Sequence, residues 1–256
     1  MPRPLLSPPC PGWRKDLPGP FEIATIEKSM GQQVPNHQDS IYLEIPRSTL
    51  TRRGIMLILA LPAALIALST PQLIYESLEL RRPVLTLLCL CLLVLAGWAT
   101  AIAYRTGTSP PRDEPIRFNR MRNKIYIYKC THRWWNPFEK CIVMPVRYDW
   151  SQVRAEQWHQ HCATGQGATI IKWGVTLSIV APGTNAVIDR VHLTCMGADE
   201  HAWAYIRTYM QKGPSALPPP GTPKDHNDVL WCELALRLAP KVAWPAEMDL
   251  ESRTAP

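Results

Sequence analysis

The segment 158–162, WHQHC, brings His159, His161 and Cys162 together, and Cys130, His132 and Cys141 supply the same residue types nearer the N-terminus. Imidazole nitrogen and thiolate sulfur are the ligands zinc prefers. The spacing matches no zinc finger, and the chain has no CxxC pair. A His-x-His unit on a strand would direct both rings to one face. The segment reads as a loop, however, so solvated histidines and small buried thiols are the expectation, and neither metal nor cofactor is assigned. Cys195 and His192 form the nearest thiol–base pair in sequence, but on a strand those positions face opposite sides. GxSxG, HExxH and GxxxxGK[ST] are all missing. The chain is read as non-enzymatic, and a metal- or thiol-dependent enzyme built on His159–Cys162 is the least favoured alternative.

A second group points to binding. The stretch RWWNPFEK places Arg133, Trp134, Trp135 and Phe138 in what reads as a loop between strands. Aromatics beside arginine either anchor protein interfaces or rest at the lipid headgroup layer. The plainer alternative has one tryptophan closing the end of a barrel and the other partly exposed. This loop is the partner-binding surface expected from sequence.

Two apolar runs must position everything else. Residues 54–75 and 83–104 each hold 22 positions without a charged side chain. About 20 helical residues cross a hydrocarbon core of about 30 Å. Neither run has the polar stripe of a soluble amphipathic helix, and Trp98 and Tyr104 suit the interface at the end of the second. Pro62 and Pro71 interrupt the first, which membrane helices tolerate better than soluble ones. A buried helical pair in a globular core is the alternative. Arg47, Arg52 and Arg53 precede the first run; Arg105, Arg112, Arg117, Arg120, Arg122 and Lys124 follow the second; only Arg81 and Arg82 lie between. The positive-inside rule then places both termini in the cytoplasm and the stretch IYESLELRRPV at a tight turn outside. The basic flank from Arg112 to Lys124 reads as an attractor of anionic headgroups, at about 1 kcal/mol per residue near the surface.

After the second run the pattern changes to short alternations. In PIRFNRMRNKIYIYK, Ile116 and Phe118 precede a polar turn and Ile125 and Ile127 follow it, which predicts a β-hairpin. KCIVMPVRYDW, ATIIKWGVTLSIVAP and AVIDRVHLTCM add strands. GADEHAWAYIRTYMQKGP then predicts a helix from Asp199 or Ala198 to Gly213, with Trp203, Ile206 and Met210 on its inner face. Antiparallel strands closed by one helix fit a pleckstrin-homology-like barrel or sandwich. DHNDVLWCELALRLAPKVAWP predicts one more helix, with Leu230, Leu234 and Leu238 on a face that packs on the domain or binds a partner.

The two apolar runs, PIRFNRMRNKIYIYK, PVRYDW and IRTYMQKGPSALPPP together resemble an uncharacterised bacterial family of two-transmembrane-helix proteins with a cytoplasmic β-rich domain. Its members are often encoded near type VI secretion clusters. The resemblance covers roughly residues 40–220, and RFNR, YDW and YMQKGP-ALPP are its distinctive elements. It implies a multi-pass protein of the bacterial inner membrane with a link to interbacterial secretion or to protection from its toxins, and it brings no catalytic residues.

Composition is consistent with this division. The mean hydropathy of −0.13 hides the apolar concentration between residues 54 and 104. The formal charge of +7 is spread along the chain, and no concentrated basic face with stacking aromatics suggests nucleic acid. Eight scattered cysteines do not read as a disulfide framework, and the proline-rich start lacks a signal-peptide core, so it is expected to be retained. The organisation expected is an α+β membrane protein: an irregular cytoplasmic segment (1–46), a transmembrane hairpin (47–107), a β-rich domain with a closing helix (108–214), and a Pro-rich linker with a terminal helix (215–256). The function expected is a membrane accessory component that contacts lipid and another protein. That protein would be a secretion component or effector, or a toxin if the chain is an immunity protein. Self-association is left open.

Overall fold

Alternation between residues 116 and 127 sets the central strand pair. Ile116, Phe118, Ile125 and Ile127 are fully buried on one face, so Arg117, Asn119, Lys124 and Tyr126 take the other. The computed structural model describes residues 3–31, 33–47, 50–131, 133, 135–139, 141–163, 169–193, 199–223 and 225–256, with backbone alone at 50–52, 162–163 and 169–170. In chain order the elements are β1 (Trp13–Asp16), β2 (His37–Gln38), β3 (Tyr42–Ile45), α1 (Leu50–Glu79), α2 (Pro83–Thr108), β4 (Ile116–Asn119), β5 (Lys124–Ile127), β6 (Cys130–Thr131), β7 (Ile142–Val143), β8 (Val146–Asp149), β9 (Val153–Ala163), β10 (Thr169–Val180), β11 (Val187–His192), α3 (Glu200–Lys212), α4 (Leu234–Leu238) and α5 (Ala246–Arg253).

The fold is α+β: two apolar helices and two antiparallel sheets. One sheet runs β2-β3-β4-β5-β8 and the other β1-β9-β10-β11, with β6 and β7 as a separate ladder. The chain crosses between the sheets through a single 3-10 turn at Trp150–Gln152. Trp150 fills the corner, its ring 6.0 Å from Phe118 and 5.4 Å from Trp203. Val153, Ala155, Val175, Leu177 and Ile179 join the same core from β9 and β10. The helix α3 closes it with the predicted boundaries: Asp199 caps the first turn through His201 N–H and Ala202 N–H, and Gly213 ends it at φ +83°.

The N-terminal segment 1–46 is not irregular, which corrects the sequence reading. It supplies β1 to β3, and Leu17, Leu43 and Ile45 enter the core. The polar side chains of α3 bind it down. Trp203 Nε1 donates to Pro18 O (2.9 Å), Tyr209 Oη to Asp39 O (2.8 Å) and Arg207 Nη1 to Glu22 O (2.7 Å). The β-rich domain therefore does not begin at residue 108. Strands β3 and β4 are antiparallel neighbours, Ile45 opposite Ile116, and the helical hairpin is the connection between them.

The helices are longer than the apolar runs, about 45 and 39 Å at 1.5 Å per residue. Glu76 and Glu79 belong to α1, and the turn is reduced to residues 80–82, with Arg81 at φ +53° and Pro83 opening α2. The packing is inverted relative to a soluble helix pair. The buried residues are small or polar: Ala60, Thr70 and Ser77 on α1, Cys89, Ala96 and Gly107 on α2. Leu, Ile and Val point outward instead, Leu68 being 78% and Val84 72% exposed. Thr70 and Ser77 on α1, and Cys89 and Ala96 on α2, are each seven residues apart, two turns along the inward face of their helix. A Cβ on Gly107 would meet Arg53 O at 3.3 Å, so glycine allows close approach at the base.

Candidate functional site

The outer face of β4 and β5 is polar, and the C-terminus covers it. Arg117 Nε donates to Glu44, and its Nη1 reaches Asp249 Oδ1 at 2.7 Å and Ser252 Oγ at 2.8 Å. Its guanidinium lies 4.4 Å from the centre of the Trp244 ring. Asn119 Nδ2 donates to the carbonyls of Ser252 and Thr254, both at 3.0 Å. Arg122 Nε donates to Thr254 O (3.0 Å), and Lys124 and Arg147 both grip Glu251, at 2.8 and 2.7 Å. The hydrogen bond from Lys124, helped by Arg147, holds Glu251 down at about 2. The RFNR element is thus a socket for α5. Arg117, Arg122 and Lys124 are engaged inside the molecule, which corrects their reading as headgroup attractors. The terminal segment 215–256 is likewise no appendage: one of its two helices seals this sheet.

Beside the socket lies an open cavity of about 520 Å³, lined by His37, Tyr42, Glu44, Arg117, His226 and Trp244 among others. His226 Nδ1 is 3.0 Å from Glu44 Oε1, and Asn36 Nδ2 donates to Glu44 Oε1 (3.3 Å) and Asp113 Oδ2 (3.2 Å). Burial alone would raise Glu44, but the His226 hydrogen bond and the Arg117 charge more than offset it and hold the carboxyl at about 2. Burial alone would lower His226, and Glu44 reverses that, so the imidazole is raised. Asp113 goes the other way, raised chiefly by burial. The arrangement offers recognition chemistry: a guanidinium stacked on indole next to an imidazole–carboxylate pair. Glu44 and His226 are far apart in sequence, and no local motif announces them.

The sequence-derived candidates disperse. WHQHC is not a loop: His159 and His161 lie on β9, opposite Trp173 and Ile171 of β10. His159 meets Arg14 Nη1 at 3.2 Å rather than a second ligand. The side chain of Cys162, together with His132 and Cys195, lies outside the described residues. Cys130 and Cys141 are joined as a disulfide across β6 and β7, Cα atoms 6.0 Å apart, which corrects the reading of the cysteines as unpaired. Among the described residues no group of three or more His, Cys, Asp or Glu is placed to hold a metal. His192 faces Thr176 Oγ1 at 3.0 Å. Cys10 is a poor nucleophile, because burial and then Glu156 push its thiol up to about 12.

RWWNPFEK lies between two strands, β6 and β7. Trp134 is outside the described residues, and Trp135 is half exposed. Phe138 meets Trp98 of α2 edge-on, ring centres 5.8 Å apart, and Arg105 Nη2 donates to Glu139 O at 3.2 Å. The other basic residues near the hairpin divide. Arg53 is buried and donates to Pro110 O and Pro111 O; Arg112 donates to Leu236 O and Asn227 O; Arg81 and Arg82 stay exposed at the turn. The side chain of Arg52 is not described. The helix expected over 225–245 shrinks to α4, which packs against the base of α1 and α2. Leu230, Leu234 and Leu238 face outward, and Ala235 and Leu236 inward.

No curated protein matches the chain, and neither does any solved structure. A family model described as a family of unknown function, DUF6708, matches residues 93–256. The match begins inside α2 and takes in the socket, its C-terminal occupant and both sheets apart from β1, β2 and β3. With more than half of its length covered, the chain belongs to the DUF6708 family.

Proposed function

We propose that this chain is a non-enzymatic membrane protein in which a two-helix transmembrane anchor holds a β-rich, pleckstrin-homology-like interaction domain at the bilayer surface. The inverted packing of α1 and α2 carries the reading. In each helix only 11% of the most apolar window is buried, whereas a core helix of a soluble protein would be mostly buried. Water would strongly disfavour so large an exposed apolar surface, and lipid would not. The pairing of β3 with β4 adds a topological condition: residues 45 and 116 must lie on one side, so the chain between them crosses an even number of times. Two antiparallel sheets with α3 at their open side support a barrel or sandwich for the body.

The excess of arginines at the base favours the cytoplasm of the inner membrane for that body. The disulfide argues the other way, because such bonds persist in oxidising compartments. Tags placed in the turn 80–82 and at the C-terminus should report opposite compartments, and a shared compartment would overturn the hairpin. Alkylation of freshly lysed cells tests the side independently: a stably oxidised Cys130–Cys141 pair places the body outside the cytosol, and a pair kept reduced places it inside. The resemblance carried by RFNR, YDW and YMQKGP extends the proposal to an accessory role beside a type VI secretion apparatus. Rescue of cells from a toxin encoded next to this protein would replace that role with immunity.

A further inference from the structure

We propose that the β6–β7 loop and the segment leading into α4 form a collar around the base of the hairpin that dips into the headgroup–acyl boundary of the bilayer. The inference rests on the membrane reading above and deepens it by assigning a lipid ligand to two elements outside the spanning helices.

The position of Phe138 carries the argument. Its partner Trp98 lies six residues before Tyr104, where the apolar run of α2 ends, so the contact is about 9 Å inside that run. Elements that lie in the interface bury their apolar face roughly 5–10 Å deep, and the loop reaches this depth. Phe138 nevertheless touches α2 with only one edge and remains 77% exposed, and Trp135, Ile142 and Met144 are exposed around it. Arg105 holds the loop in place through Glu139 O.

The second element shows the same features independently. The helix α4 packs against both α1 and α2 through its inner residues. Arg112 fixes its backbone from the end of the hairpin, donating to Leu236 O at 3.1 Å. Trp231 is 82% exposed, and Leu234 and Leu238 are turned outward. An outward tryptophan above leucines beside a helix entering lipid is the composition of the aromatic belt. Each patch borders the hairpin, the first through the Phe138–Trp98 contact and the second through the packing of α4 on α1 and α2. Lipid that covers one therefore covers the other, and this identifies the occupant as the bilayer rather than a protein.

Tryptophan quenching in reconstituted vesicles tests this on the full chain. Phosphatidylcholine–phosphatidylglycerol vesicles brominated on the upper acyl chain quench only indoles in contact with lipid. The variants Trp98→Phe, Trp135→Phe and Trp231→Phe keep an apolar ring at each site. All three should lower the quenched share of the emission. If Trp98→Phe lowers it but Trp135→Phe or Trp231→Phe raises it, that indole sits in water and the collar is wrong while the anchor stands. If Trp98→Phe also fails to lower it, the hairpin is not in the bilayer and both proposals fall.

Discussion

The helical hairpin and the β-body obey opposite packing rules within one chain. In the body, Phe118, Ile125 and Leu177 are fully buried, and the buried arginines Arg117 and Arg207 are held by internal hydrogen bonds. In the hairpin, Thr70 is fully buried and Leu68 is 78% exposed. The difference is one of surroundings. Apolar area is driven out of water, but in the bilayer proposed for the hairpin leucine would gain nothing by leaving lipid, so there close packing of small residues would decide which face turns inward. A polar network marks the boundary between the two: Arg53 donates to Pro110 O and Pro111 O, and Arg112 to Leu236 O, at the hairpin base.

The contrast is open to measurement. Phe118→Ala should destabilise the body by about 3–5 kcal/mol in chemical denaturation, while Leu88→Ala, at an exposed hairpin position, should leave the body's midpoint unchanged. Similar losses at both positions would break the comparison. Leu88→Arg should oppose membrane insertion by about 2.5–3.5 kcal/mol, read as protein lost from the carbonate-resistant fraction. A soluble surface would absorb the same change within about 0.5 kcal/mol.

The socket should give the body a pH signature that the hairpin lacks. Glu44, depressed from 4.5 to about 2, contributes stability that is present above pH 4.5. About 3 kcal/mol should be lost as pH falls through that window. His226 is raised above 6.5, so its contribution is full below pH 6.5 and lost as pH rises through its folded value. Thermal melts should therefore peak between these limits, and His226→Gln should remove the alkaline decline and shrink the acid one, because the His226 hydrogen bond helps to depress Glu44. The smallest effect belongs to the helix seam: Ala96→Leu should cost about 1–3 kcal/mol of hairpin packing, seen as easier protease access to the base.

What the sequence made legible follows the same boundary. The hairpin could be read because each of its helices is a long, uniformly apolar run, and β4–β5 and α3 because their signals are local: alternation in one case, Asp199 and Gly213 in the other. The strands β1 to β3 could not, since β1 pairs with β9 and β3 with β4 across long stretches of chain. The helix α5, AEMDLESR, has no apolar stripe and is held by Arg117, Lys124 and Arg147, each on another element. The leucine period near residue 234 was visible and implied packing on the domain or binding of a partner, and the outward turn of Leu234 and Leu238 sets aside the first of these. Of the candidate site, Arg117, Arg122 and Lys124 were noted only as parts of a basic flank; Glu44 and His226 meet solely through the fold.

The placement of the hairpin between β3 and β4 also fixes an order of events. During synthesis β3 emerges before the two apolar helices and its partner β4 after them. The five-stranded sheet cannot extend beyond β2–β3 until the whole hairpin has been made. If the hairpin spans a bilayer as proposed, Ile45 can meet Ile116 only when both helices have returned to the side they left. The body thus assembles as a check on completed insertion. A chain whose hairpin stalls halfway leaves β3 and β4 on opposite sides of the bilayer, with an unpaired sheet edge that quality-control proteases can recognise.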